Sequence, residues 1–117
     1  MSPDTLILES GLFGEISWYF FENKEYNASI AFLKRGVQLY PEDLNMLMNL
    51  AHKYLFNNDY QNAMAIYKPH LKDTISPGLS WEDSMRNDLT YFKEHHYDVN
   101  LFDKVFVELK IKKPAGY

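Results

Sequence analysis

The chain has 117 residues, of which 46% are hydrophobic and 24% are charged, and this composition fits one globular domain and excludes a disordered chain. Its formal charge of -4 gives no general attraction to phosphate backbones, so nucleic acid is not an expected partner. Cysteine is absent, which excludes disulfides, thiolate catalysis and zinc-finger sites.

The apolar runs of the sequence are far too short to span a bilayer, so a membrane is not an expected partner either. Residues 1–4 lack the positive start and the apolar stretch of a secretory signal. We therefore expect a cytoplasmic protein, with the alternative that the chain is a fragment of a longer protein.

A first pair of helices is predicted between residues 5 and 39. The first helix covers residues 5–22, and Gly11 and Gly14 weaken its middle, so a break there is an open alternative. The second helix covers residues 26–39, and Pro41 stops it because proline cannot continue a helix. Together they form an antiparallel hairpin.

A second pair of helices is predicted between residues 44 and 71. Asp43 is a suitable N-cap for the third helix, whose apolar residues recur with helical spacing. Asn57 and Asn58 end this helix, since asparagine tolerates the left-handed conformation that such a turn needs. The fourth helix covers residues 60–71.

A third pair follows a linker at residues 73–78. Ser80, with Asp83 three residues later, is typical of a capping box and opens the fifth helix. The sixth helix covers residues 99–111. The sequence therefore predicts an all-α fold of about six helices in a single domain over residues 1–117.

An internal repeat relates the first two helical pairs, because residues 13–43 align with residues 47–77. The shift superposes Phe13 on Leu47, Ile16 on Leu50, Ser17 on Ala51, Phe20 on Tyr54, Tyr26 on Tyr60, Ser29 on Ala63 and Leu33 on Tyr67. A repeat of this length is one helix–turn–helix unit that cannot bury its apolar face alone, so neighbouring units must stack. The small residues Ser17, Ser29, Ala51 and Ala63 are expected to let the two helices of each unit approach closely.

The repeated blocks resemble tetratricopeptide repeats. Repeat 1 covers residues 10–43, repeat 2 covers residues 44–77, and a degenerate closing pair covers residues 78–112, with Trp81 placed one repeat length after Leu47. The match loosens at the end of repeat 2, where His70 and Ile75 stand at positions that favour a small residue and proline. The resemblance implies a right-handed α-solenoid whose closing pair covers the exposed face of the second repeat.

In this family, ligands lie in a concave groove lined by the first helix of each pair. The resemblance implies that the groove is lined in the first repeat by Gly11, Gly14, Glu15, Trp18, Phe21 and Glu22, and in the second by Asn45, Met48, Asn49, His52, Leu55 and Phe56. Of these, the expected partner-binding residues are Trp18, Phe21, Asn45, Met48, Asn49, His52 and Phe56. Such an aromatic and aliphatic groove favours an extended or helical peptide with apolar anchors. The alternative is that some of these side chains cover neighbouring helices. A clamp for a C-terminal carboxylate is doubtful, because Gly14 and Trp18 stand where that clamp needs lysine and asparagine.

No catalytic constellation is readable, so neither an enzyme nor a cofactor is expected. His95 and His96 point about 100° apart on a helix end, so we expect a solvated terminus there and not a metal site. His70 is expected to be a packing or hydrogen-bonded residue.

The sequence therefore predicts a non-catalytic module that binds a peptide or a partner protein. The alternative is a structural or regulatory end-domain of a larger protein, or a homodimer. The apolar residues Leu6–Leu8, Leu12 and Phe13 favour self-association.

Overall fold

A computed structural model describes residues 3–116, with side chains described from residue 11 onward. The described residues form α1 (Pro3–Glu22), α2 (Tyr26–Leu39), α3 (Leu44–Phe56), α4 (Tyr60–His70), β1 (Thr74–Ser76), β2 (Leu79–Ser80), α5 (Trp81–Glu94) and α6 (Asn100–Leu109). The prediction of an all-α fold is confirmed. The side chains of Leu6–Leu8 lie outside the described residues. No helix within residues 3–116 has the length and apolar character needed to cross a bilayer.

Helix α1 runs without a break through Gly11 and Gly14. Each glycine costs about 1 kcal/mol relative to alanine in a helix interior. This cost is outweighed by packing on α2, where Phe13 lies against the ring of Phe32 at a centroid distance of 4.7 Å. The continuity of α1 is therefore due to its tertiary contacts, which outweigh the low helix propensity of the two glycines.

The first two helical hairpins turn in the same way at equivalent positions of the repeat. Lys24 and Asn58 both adopt the left-handed conformation, with φ of 61° and 62°. The next backbone N–H donates to a carbonyl five residues back, from Glu25 to Phe20 at 2.9 Å and from Asp59 to Tyr54 at 2.8 Å. This is the Schellman arrangement that ends many helices. The predicted stop at Asn58 is confirmed, and the same turn ends α5 at His96 and α6 at Lys110.

Small residues bring the helices of each hairpin together, as predicted. The Ser29 hydroxyl donates to the Ser17 carbonyl oxygen at 2.8 Å, and both side chains are buried. A hydroxyl that reaches the backbone of the opposite helix requires a close approach of the two helices. Ala51 and Ala63, at the same positions of the second hairpin, are fully buried.

The repeat positions Tyr26 and Tyr60 are only partly equivalent. Both are half-buried and begin the second helix of a pair. The Tyr26 ring packs on Phe21, whereas the Tyr60 hydroxyl donates to the Glu108 carboxylate and its ring lies 4.3 Å from the Lys104 ammonium. The difference arises because α6 lies beside the second pair.

The predicted linker at residues 73–78 folds into a short antiparallel hairpin of β1 and β2. Pro77 and Gly78 form its turn, and glycine is needed there because φ is 82°. The Ser80 hydroxyl then accepts from the Asp83 backbone N–H at 3.1 Å, so the predicted cap of α5 is confirmed.

The alignment of Trp81 with Leu47 is wrong. Trp81 is the first residue of α5, whereas Leu47 is the fourth residue of α3. The hairpin of β1 and β2 adds residues before α5, so the closing pair is displaced relative to the repeat spacing. Trp81 instead stacks on His70, whose Nδ1 lies 2.7 Å from the Asp73 carboxylate, as expected for a packed and hydrogen-bonded histidine.

Candidate functional site

The residues predicted to line the groove differ greatly in exposure. Phe21, Met48 and His52 are buried, Trp18, Asn49 and Phe56 are half-buried, and Asn45 is exposed. The expectation that Phe21, Met48 and His52 face an open groove is therefore wrong. The peptide-binding role of the other residues stays a prediction.

An aromatic cluster closes the groove at the C-terminal ends of α1 and α3. Tyr97, in the connection between α5 and α6, lies at its centre. The ring centroids of Trp18, Phe21, Phe56 and Phe92 lie 5.4–6.2 Å from that of Tyr97. Aromatic pairs at such separations add about 0.5–1.5 kcal/mol each beyond the burial of their area. The closing pair thus covers the first helical pair as well as the second.

Lys53 is a buried cation beneath this aromatic cluster. Its Nζ lies 4.7 Å from the ring centroid of Trp18 and 4.7 Å from that of Phe21. Burial lowers the pKa of Lys53 to about 8, and the nearby Asp88 carboxylate opposes this shift. The aromatic faces partly replace the lost water through cation–π attraction. Sequence reasoning missed Lys53, because nothing in the helical pattern distinguishes it from a solvated lysine.

A buried hydrogen-bonded chain joins α3, α4 and α5. His52 Nδ1 lies 2.6 Å from the Tyr67 hydroxyl, and His52 Nε2 lies 2.8 Å from Asp88 Oδ2. Burial raises the pKa of Tyr67 well above its usual value, and Asp88 adds to the effect, so the phenol stays protonated. All groups are satisfied when Nε2–H donates to Asp88 and the phenol O–H donates to Nδ1.

This chain of groups resembles a catalytic relay only in composition. Tyr67 and His52 are buried, so neither the phenol nor the imidazole is exposed to solvent. Its two contacts connect α3 to α4 and to α5. Among residues 11–116 no group of three or more histidine, aspartate or glutamate side chains converges as a metal site would need.

An open half of the groove remains towards the N-terminal ends of α1 and α3. Asn45 and Asn49 share one face of α3 with His52, because they are spaced at helical intervals, but Asn45 is exposed and Asn49 half-buried where His52 is buried. On α1, a Cβ added at Gly11 or Gly14 would meet nothing within 4 Å. We define the open half-groove as Gly11, Gly14, Glu15, Asn45 and Asn49.

Comparisons of this chain with known protein families, curated proteins and solved structures gave no match. The likeness to tetratricopeptide repeats therefore depends on the repeated residues alone and stays a prediction.

Proposed function

We propose that this chain is a non-catalytic protein-interaction module of the tetratricopeptide type that binds a peptide segment of a partner protein in the open half-groove. The observation that carries the proposal is the pair of amide side chains, the exposed Asn45 and the half-buried Asn49, on a helix whose groove residues Met48 and His52 are buried. The matching turns at Lys24 and Asn58 support the repeat assignment.

The chemistry of the open half-groove suits an extended peptide. Each asparagine amide both donates and accepts, so two of them in adjacent helical turns can hold the N–H and C=O groups of a peptide backbone. Gly11 and Gly14 supply no side chain, and this leaves room for the peptide beside α1.

Residues beside the open half-groove indicate the charge of the bound peptide and the kind of side chain that anchors it. Glu15 is exposed and Asp88 is partly exposed, so a peptide with lysine or arginine is favoured over an acidic one. Trp18 is half-buried and lies beside the exposed ring of Tyr91 at 6.1 Å, which offers a surface for one apolar side chain.

The test is selection of peptides from a displayed random library on the immobilised protein, followed by titration of the enriched sequences. The variant Asn45→Ala/Asn49→Ala should lose most of the binding while its circular dichroism is unchanged. The control Lys34→Ala/Gln38→Ala removes two exposed polar side chains from α2 and should bind as the parent does. An absence of enriched peptides, or equal binding by both variants, contradicts the proposal.

A further inference from the structure

The first helical pair carries an apolar face whose equivalent is buried in the second pair. Leu12, Ile16 and Tyr19 follow one another at helical spacing on α1 and are 53%, 40% and 66% exposed. Their equivalents one repeat length later are Met46, Leu50 and Lys53, which are 3%, 5% and 2% exposed. The same helix face is thus covered in one repeat and uncovered in the other.

The cover in the second repeat comes from a neighbouring helix. Met46 and Leu50 pack in one cluster with Ile30 and Leu33, which belong to α2. In the first repeat the equivalent residues of α1 are exposed. Leu39, at the end of α2, is 51% exposed. We define the terminal face as Leu12, Ile16, Tyr19 and Leu39.

The charges beside the terminal face differ between its two helices. Helix α1 contains four acidic residues, Asp4, Glu9, Glu15 and Glu22, and no lysine or arginine. Helix α2 contains Lys34 and Arg35 and no acidic residue. Arg35 lies one helical turn from Leu39, whereas Lys34 lies one turn from Ile30 on the side of α2 that faces α3. Glu15, Glu22, Lys34 and Arg35 are exposed, and no ion pair within the described part of the chain involves any of them.

We propose that the terminal face binds a second copy of this chain, with α1 of each copy against α2 of the other. A two-fold axis that runs parallel to the helices, between α1 and α2, produces this arrangement. The acidic helix of each copy then faces the basic helix of its partner. The other two-fold arrangement places α1 on α1 and is disfavoured, because it brings like charges together.

The area of the terminal face indicates how strongly two copies of the chain would associate. Two adjacent helices of this length present an area of roughly 20 Å by 20 Å. A standard interface takes about 800 Å² from each partner, so this dimer is smaller and its affinity is expected to be micromolar. The inference does not depend on the proposed peptide site, although Glu15 lies beside both surfaces. Leu12, Ile16, Tyr19 and Leu39 belong to the terminal face alone, so Ile16→Glu tests the dimer separately from peptide binding.

The experiment is sedimentation velocity of the full chain from low micromolar to several hundred micromolar concentration. The parent should pass from monomer to dimer as the concentration rises, and added salt should weaken the dimer. Ile16→Glu should weaken association by about tenfold or more, because it places a charge in the apolar contact. Val107→Glu is the matched control, since Val107 is a 69% exposed apolar residue on α6, and its dimer should be unchanged.

A charge exchange tests the arrangement of helices separately. Glu15→Lys and Arg35→Glu should each weaken the dimer, and the double variant should recover most of the loss. A chain that stays monomeric at the highest concentration overturns the proposal, and so does equal weakening by Ile16→Glu and Val107→Glu. A dimer that strengthens with salt overturns the α1-to-α2 arrangement. Circular dichroism of each variant confirms that its helices are retained.

Discussion

His52 Nε2 lies 2.8 Å from Oδ2 of Asp88, a residue 36 positions further along the chain, and this bond fastens α5 to α3. His52 is buried and its other ring nitrogen is engaged by Tyr67, so the imidazole has a protein partner at both nitrogens. A buried polar group that loses its partner costs more than the bond itself contributes. The position of the closing pair therefore depends on Asp88.

Asp88→Ala is expected to lower the free energy of unfolding by about 2 kcal/mol, because it leaves His52 Nε2 buried without an acceptor. Urea unfolding followed by circular dichroism measures the loss. Asn87→Ala is the control, since Asn87 is exposed and adjacent on the same helix, and its stability should match that of the parent within about 0.5 kcal/mol. Equal stabilities of the two variants would contradict a role of Asp88 in holding α5.

Lys53→Met is expected to stabilise the protein at pH 7. A pKa lowered from 10.5 to about 8 corresponds to roughly 3 kcal/mol against the buried charged form. Methionine keeps the packing on Trp18 and Phe21 and removes the charge. We expect a gain of about 1–3 kcal/mol in urea unfolding, because the cation–π attraction is lost as well.

The same substitution should alter the dependence of stability on pH. Below about pH 8 both the folded and the unfolded chain hold the proton of Lys53, so the full penalty is present. Between about 8 and 10.5 the folded protein releases this proton while the unfolded chain keeps it, so stability rises. The advantage of Lys53→Met should therefore shrink as the pH rises from 8 towards 10. A constant difference across that window contradicts a lowered pKa.

The glycines of the first pair should respond oppositely to alanine. Gly14→Ala is expected to stabilise α1 by about 0.5–1 kcal/mol, because the added Cβ meets open space and helix propensity improves. Gly36→Ala would place a Cβ 2.5 Å from the Met46 sulfur and 3.0 Å from Phe13 Cδ1, so overpacking by about 1–3 kcal/mol outweighs the propensity gain. In thermal unfolding, Gly14→Ala should have the highest melting temperature, the parent an intermediate one and Gly36→Ala the lowest. The reverse order would show that α1 and α2 are not packed as described.

Tyr97→Ala is expected to open the aromatic cluster and to expose Trp18. The loss of the ring should cost about 2–3 kcal/mol and shift the tryptophan emission to longer wavelength, with stronger quenching by iodide. Trp81 is fully buried and distant in sequence, so the change reports Trp18. Tyr19→Ala, at an exposed tyrosine of the same helix as Trp18, should leave the emission of dilute protein unchanged. An unchanged spectrum of Tyr97→Ala contradicts the closed cluster.

The elements of the fold could be predicted from sequence because their signals are local. The starts of α2 and α4 at Tyr26 and Tyr60 match the prediction, and so do the caps at Asp43 and Ser80. Turn residues and helical spacing act over a few neighbours, and the sequence displays these directly. The short strands escape prediction because so small a hairpin carries almost no alternating pattern.

The closure of the groove could not be predicted, because it depends on contacts between distant residues. Trp18 and Tyr97 lie far apart in sequence, and no periodicity relates them. The resemblance implies open first helices, whereas the displaced closing pair brings Tyr97 over Phe21. The resemblance also places His52 in the groove, but its partner Asp88 lies in a helix whose register the alignment misjudges.

The contact between Trp18 and Phe92, whose rings stack at a centroid distance of 6.5 Å, has a consequence for how the chain unfolds. In an ordinary linear array each unit touches its immediate neighbours only, and the units can melt one after another from an end. Here Trp18 of the first unit also contacts Phe92 of the last, so these two units are coupled directly. Because the first and last helical pairs are in contact, we expect a single cooperative unfolding transition, in which the calorimetric and van't Hoff enthalpies agree.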